Sequence, residues 1–239
     1  MMRGLMAAIG FLTRIPVPAH VFGDAAVRER SLVWYPLVGA LIGVVLLALG
    51  WCLRDVASLL RAALMLGAWV ALTGAMHLDG LADSADAWVG GMGDRARTLA
   101  IMKDPASGPM GVAAIVVVLL LKFAVLASQS AWPAVLLAPL LARAALVALF
   151  ATTRYVRPGG LGDALQRAPR AACGWMLLAS VVLAACCGPL GWAALAAALL
   201  VFAAWRRACL IRLGGCTGDT AGALVEMVEA AVLVASALA

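Results

Sequence analysis

The chain is short of charge. Asp, Glu, Lys and Arg make up 13% of its 239 residues, while 65% are hydrophobic; soluble globular domains carry roughly 25% charged residues. That scarcity excludes a water-soluble fold. Helices, by contrast, can expose so much apolar surface to lipid because each satisfies its own backbone polar groups. The reading is an all-α, polytopic integral membrane helical bundle. The six cysteines form no Cys-x-x-Cys pair, so nothing resembles a zinc site, and Cys186 and Cys187 sit in an apolar stretch where thiols pack as small hydrophobes. A Ser-His-Asp constellation and a P-loop are also absent. The net charge of +6 comes from basic residues scattered singly, which excludes nucleic acid as a partner and suits a membrane topology signal instead. No repeat, low-complexity tract or linker divides residues 1–239, which read as a single membrane domain. The opening "MMRGLMAAIGFLTRIPVP" lacks a small-residue cleavage site before its Pro-x-Pro end and reads as an N-terminal interfacial helix.

Apolar runs lie at 32–53, 56–76, 110–127, 133–151, 173–187, 192–205 and 223–238. The fifth and sixth are short and separated only by "GPLG" at 188–191, so about six or seven transmembrane helices are expected. With the N-terminus in the cytoplasm, nearly every loop Lys and Arg falls inside, and only Arg54 and Arg61 fall outside, which orients the chain by the positive-inside rule. Lys122, near the outer end of its span, is expected to snorkel to the interface, leaving Arg143 as the one cation well inside the membrane. Asp79, Asp83, Asp86, Asp94, Asp104, Asp219 and Glu226 all gather toward the cytoplasmic side.

The densest acidic stretch is "HLDGLADSADAW" at 77–88. If the preceding span continues as a helix through residue 86, Asp79, Asp83 and Asp86 fall within roughly 60° of one another and form one stripe. Such a stripe stays ionised when a cation sits in it, and a hard divalent ion with oxygen ligands, Mg²⁺, fits best. Asp residues at a helix end are also explained by solvation among headgroups. His77 projects roughly opposite and is read as structural.

A second acidic group lies in "LGGCTGDTAGALVEMVE" at 213–229. Gly214, Gly215 and Gly218 allow close backbone approach to a bulky anionic ligand, Thr217 and Thr220 offer hydroxyls, and Asp219 and Glu226, seven residues apart, share a helical face. The same residues also serve a glycine turn with a helix cap. A third group is cationic: Arg143, then Arg154 and Arg157 in "RYVRPGGLG" at 154–162, which suit phosphate oxygens, although Arg154 and Arg157 also serve topology. Together these groups imply phosphoryl transfer at the cytoplasmic face, with Asp86, Asp219 and Glu226 as candidates to position the attacking hydroxyl or take its proton.

The chain resembles the cobalamin synthase family, the adenosylcobinamide-GDP ribazoletransferases. The resemblance rests on "FLTRIPVP" (11–18), "YPLVGALIG" (35–43), "HLDGLADSAD" (77–86), "IMKDPASGPMG" (101–111), "RYVRPGGLG" (154–162) and "LGGCTGDTAGALVE" (213–226), in order along the chain. It implies a Mg²⁺-dependent enzyme of the bacterial inner membrane. Adenosylcobinamide-GDP and α-ribazole, or its 5′-phosphate, are its implied substrates, and membrane lipid its surroundings. It further implies Arg14, Lys103 and Asp104 as substrate contacts beside Arg143, Arg154, Arg157, Gly215 and Thr217. Two positions depart from the family: Pro105 and Ala106 stand where Ser-Arg is usual, leaving Lys103 or a nearby arginine to meet phosphate, and Ala87 replaces a usual Gly. A CDP-alcohol phosphotransferase is the alternative enzyme, but its Asp-Gly-x-x-Ala-Arg pattern is missing because Asp83 and Ser84 occupy the Ala-Arg positions. A divalent-cation transporter calls for acids near the midplane on several helices rather than on one face.

Overall fold

The computed structural model describes residues 2–128, 132–157, 159–160 and 162–239; Pro158 and Leu161 of the "RYVRPGGLG" stretch lie outside the described residues. Among those described, the regular structure is helical: α1 (Met2–Leu12), α2 (Ala25–Ser31), α3 (Tyr35–Cys52), α4 (Ser58–Thr73), α5 (Met76–Gly90), α6 (Arg95–Ile101), α7 (Pro109–Ala127), α8 (Trp132–Thr152), α9 (Arg170–Ala185), α10 (Gly188–Leu213) and α11 (Gly218–Leu238). An isolated parallel bridge joins Tyr155 to Cys216. The helix starts follow local chemistry. Prolines stand in the first turn of α3, α7 and α10, where a missing N–H costs nothing. The Asp94 carboxylate caps α6 by accepting from the Arg97 N–H at 2.8 Å, and Thr217 with Thr220 forms a reciprocal capping box on α11.

The most buried helix, α8, is packed by α3, α11, α10 and α9. Gly39 and Gly43 lie four residues apart on the α3 face that meets it. A Cβ on Gly39 would stand 2.2 Å from the Pro139 carbonyl oxygen, and one on Gly43 2.7 Å from the Leu136 Cα. Small residues at this spacing let two membrane helices approach to backbone contact, where van der Waals packing replaces the hydrophobic drive that lipid removes.

Five helical segments are long and apolar enough to cross a membrane: residues 25–52, where α2 runs through a short turn into α3, and α7, α8, α10 and α11; a sixth appears when the bent pair α4–α5 counts as one span. This is a polytopic α-helical membrane protein, with its spans distributed differently from the apolar runs. The fifth run becomes α9, whose 16 residues rise about 24 Å, less than the roughly 30 Å hydrocarbon core. The sixth lengthens into the 26-residue α10, which begins at the "GPLG" expected to separate them. Gly191 makes that possible, because a Cβ there would meet the Ala184 carbonyl oxygen of α9.

The larger correction concerns the aspartates. The helix before them does not continue to residue 86. Gly74 (φ 65°) and Ala75 (φ 58°) both take left-handed conformations, and α5 departs from α4 at 87°. A left-handed alanine costs about 1–2 kcal/mol, so surrounding packing must hold the bend. Arg14 supplies part of it: its N–H donates to the Leu72 carbonyl at 2.7 Å, and its guanidinium covers Gly74 so closely that a Cβ there would lie 2.1 Å from Nε.

Replacing Gly39 by Leu is expected to lower stability by about 1–3 kcal/mol or more, because the obstacle is backbone and cannot rotate aside. Gly67→Ala, where a Cβ meets nothing within 4 Å, should leave stability unchanged or slightly raised. Thermal unfolding of both variants in detergent checks the contrast.

Candidate active site

Two glycines join the two acidic motifs. Gly80 of α5 crosses Gly222 of α11: a Cβ on Gly80 would stand 2.7 Å from the Asp219 carbonyl oxygen and 3.2 Å from the Gly222 Cα, and one on Gly222 would stand 3.3 Å from the His77 Cα. Without side chains at the crossing, α5 lays its aspartate face beside the first turn of α11. Asp83 is then within Coulombic reach of Asp79, Asp219, Asp86 and Arg157. Asp79 is exposed and Asp83 half-buried, and Asp79 and Asp219 line one cavity.

Among the described residues, Asp219 is the one of the four that is ion-paired. Its Oδ2 is 2.8 Å from Arg157 Nη1 and accepts from the Thr217 hydroxyl at 3.4 Å. The Nε and Nη2 of Arg157 are buried without a hydrogen-bond partner. A guanidinium with donors left over beside a carboxylate cluster is equipped for phosphate oxygens. Asp86 is occupied differently: its two oxygens accept from the backbone N–H groups of Gly108 (2.7 Å) and Gly111 (3.0 Å). It therefore caps the start of α7 from outside that helix, and its carboxylate fills the space that a Cβ on either glycine would need.

Among the described residues, no three His, Cys, Asp or Glu side chains converge tightly enough to hold an ion by themselves. The donor chemistry still fits Mg²⁺, which takes one or two carboxylates and completes its octahedron with water and substrate phosphate. Four acids facing one arginine leave an excess of negative charge, and Asp79 and Asp83 are the two that no described protein group hydrogen-bonds.

A family model described as cobalamin-5-phosphate synthase matches residues 4–237. The chain belongs to the cobalamin-5-phosphate synthase family. Its relatives include the adenosylcobinamide-GDP ribazoletransferase of Pseudomonas aeruginosa (strain UCBPP-PA14), 54% identical over 99% of this chain and 98% of its own. That of Pseudomonas putida (strain KT2440) is 54% identical over 97% of each chain, and that of Stutzerimonas stutzeri (strain A1501) is 53% identical over 98% and 97%. No solved structure matches.

The other residues singled out from the sequence of this family member are placed less uniformly. Thr217 is fully buried and works as a cap. Gly215 packs against its own chain, since a Cβ would lie 2.2 Å from the Arg154 carbonyl oxygen. That closeness allows the backbone pairing of Arg154 and Val156 with Cys216 and opens no room for a ligand. Arg14, Lys103, Asp104 and Arg154 are exposed. The Asp104 carboxylate is engaged locally by the Ala106 N–H at 3.0 Å.

Glu226 and Arg143 belong elsewhere. Glu226 Oε2 lies 2.6 Å from Lys122 Nζ, which is also 2.5 Å from Glu229 Oε2, and Glu229 pairs in turn with Arg143. All four are buried. Lys122 therefore does not snorkel: its ammonium sits among carboxylates and 4.8 Å over the Trp69 ring, so its charge is compensated where it lies. Arg143, with its charge matched by Glu229 and its Nη2 3.5 Å from His77 Nδ1, is not directed at the phosphate site. Glu229 went unnoticed in the sequence, although a second acid three residues past Glu226 on a span is itself a request for a cation.

Gln166 was also missed. Its amide accepts from the Tyr155 N–H and donates to the Phe150 and Thr153 carbonyls, holding the loop that carries Arg157. A lone glutamine in a loop gives no sequence signal of that kind.

Lys122→Met, which strands two carboxylates on one arginine, is expected to destabilise the protein by about 3–5 kcal/mol. Adding Glu226→Gln should recover part of the loss by removing the surplus charge. Chemical or thermal unfolding of the single and double variants measures the difference; a double variant worse than the single one contradicts this assignment.

Proposed function

We propose that this enzyme joins adenosylcobinamide-GDP to α-ribazole, or to its 5′-phosphate, at the cytoplasmic face of the bacterial inner membrane. A ribazole hydroxyl attacks the cobinamide-side phosphorus of the diphosphate. A new P–O bond forms, the bond to the GMP oxygen breaks, and GMP departs with that electron pair. The reading rests chiefly on the Gly80–Gly222 crossing, which sets Asp79, Asp83 and Asp219 around Arg157, and the names of the relatives support it.

Arg157 holds the diphosphate oxygens through its free Nε and Nη2. Asp219, fixed by Arg157 and Thr217, orients the acceptor hydroxyl and takes its proton. Asp79 and Asp83 would hold Mg²⁺, which when bound would supply neutralisation of the charge developing on the diphosphate, while Asp86, engaged by the Gly108 and Gly111 N–H groups, holds α5 against α7. Thr217 keeps the first turn of α11 in place, so the backbone carrying Asp219 does not fray. The excess of Lys and Arg on the loops flanking this face supports the cytoplasmic orientation.

Purified protein supplied with adenosylcobinamide-GDP, ribazole and Mg²⁺ is expected to release GMP, and chelation should stop it. Asp83→Asn and Asp219→Asn should each lower turnover at least about tenfold without moving the unfolding midpoint appreciably. Release of CMP from a CDP-lipid, or divalent-cation flux without GMP, would favour the alternative readings. For orientation, an epitope inserted at the exposed Gly93, where a Cβ meets nothing within 4 Å, should stay hidden from antibody on intact spheroplasts and become accessible on inverted vesicles.

A further inference from the structure

Beside the aspartates lies a cavity of about 170 Å³. Its walls come from segments far apart in sequence: Phe11 of α1, Tyr35 of α3, Met76 of α5, Leu146 and Phe150 of α8, and Leu165 of the following loop. Its polar liners are His77, Asp79, Asp219 and the hydroxyl-bearing Tyr35, and of these Asp79 is exposed while His77 and Tyr35 are buried. The cavity thus runs from the open acidic cluster toward an apolar, partly aromatic interior. The Phe11 and Tyr35 rings, 6.2 Å apart and 20° from parallel, give it a flat side.

An apolar cavity of about 150 Å³ takes up a single aromatic molecule such as benzene. A space only slightly larger excludes a corrin macrocycle and a whole dinucleotide. Guanine is of similar size, but its edge needs several matched donors and acceptors; the carboxylates that could meet its N–H groups, Asp79 and Asp219, belong to the reacting end of the cavity, and the walls behind them are mostly apolar. What remains among the components of the reaction is the base of the acceptor: flat, neutral, bicyclic and largely apolar. Seated there, the base directs its attached ribose back toward Asp79 and Asp219, where a hydroxyl must be activated.

We propose that this cavity is the acceptor-base pocket and sets which lower base the enzyme accepts. The assignment rests on the ribazoletransferase reading given above. Leu146, 3% exposed on α8, is the wall residue whose size should tune it, since one methylene in a hydrophobic pocket is worth about 10–200-fold in discrimination.

The test uses the full-length protein in detergent with ribazole and with the riboside of unsubstituted benzimidazole as acceptors. Leu146→Phe is expected to raise KM for ribazole at least about tenfold and that for the unsubstituted riboside less, with kcat and KM for adenosylcobinamide-GDP within about twofold of wild type. Leu146→Ala should move the preference the other way, toward a riboside with a bulkier base. If Leu146→Phe does not accumulate, Phe11→Ala, on the half-buried edge of the pocket, should raise KM for both acceptors and spare the donor. Equal effects on the two acceptors of Leu146→Phe, or a rise confined to the KM of adenosylcobinamide-GDP, overturn the assignment; the second result places guanine in the cavity. Calorimetric titration of ribazole alone separates the two levels of the argument. Wild-type protein that binds ribazole, with affinity lost in Leu146→Phe, but releases no GMP refutes the reaction and keeps the pocket. GMP release with ribazole affinity unchanged in Leu146→Phe refutes the pocket and keeps the reaction.

Discussion

Lys122, Glu226, Glu229 and Arg143 form a buried, charge-balanced cluster of two cations and two anions, and the arrangement of the bundle follows from keeping it together. In hydrocarbon none of the four is tolerable alone, and water is not there to compensate a displaced partner. The cluster binds α7 to α11 through Lys122 and α8 to α11 through Arg143. Through the approach of Arg143 to His77 it reaches the first turn of α5. A small slide of any of these helices would leave a charge unmatched, so the register of the apolar helices, which greasy packing alone specifies weakly, is set by a few polar atoms.

That register is what the reactive end of the molecule uses. His77 belongs to the first turn of α5, immediately beyond the bend at Gly74 and Ala75; Asp79 stands in that same turn, and Asp83 and Asp86 follow along the helix. On α11, Gly222 lies between Asp219 on one side and Glu226 on the other. One helix thus carries an acid for the chemistry and two acids for the anchor, divided by a glycine on which α5 rests. Trp205 and Arg212 of α10 brace the arrangement from outside, with the Trp205 indole N–H donating to the Thr220 carbonyl at 2.8 Å and the Arg212 guanidinium to the Trp88 carbonyl at 2.6 Å. Asp86 connects α5 to α7 by capping it. The aspartate-bearing helix is therefore held at its start, its middle and its end, which suits an in-line displacement that tolerates little misplacement of the reacting groups.

Much of this was legible in the chain itself. The spacing of Asp79, Asp83 and Asp86 survives the bend because it is a property of any helix, whatever precedes it. Asp219 and Arg157 were singled out from their residue types and their side of the membrane, and they meet. Glu226 and Arg143 were singled out on equally good grounds, as ionisable groups in or beside a span, and they belong to the anchor. Helical phase puts Asp219 and Glu226 on one face but says nothing of depth, and two turns separate the polar end of α11 from its hydrocarbon-buried middle. Lys122 was misjudged for a related reason: snorkelling is the right outcome for a lone lysine, and its carboxylate partners lie more than a hundred positions away in sequence.

By itself, then, the sequence determined that the protein is an all-helical membrane protein, roughly where several of its helices begin, and that Asp79, Asp83 and Asp86 share one helical face. Composition, helical period and capping chemistry are local and need no knowledge of neighbours. Only the tertiary structure decided which charges pair and which remain available, that α5 turns away from α4, and that a largely apolar cavity assembled from six separated segments opens beside the aspartates. Those outcomes depend on close approach between distant helices at glycines such as Gly39, Gly80 and Gly222. What a glycine permits is set by the backbone opposite it, and no residue in its own neighbourhood records which backbone that will be.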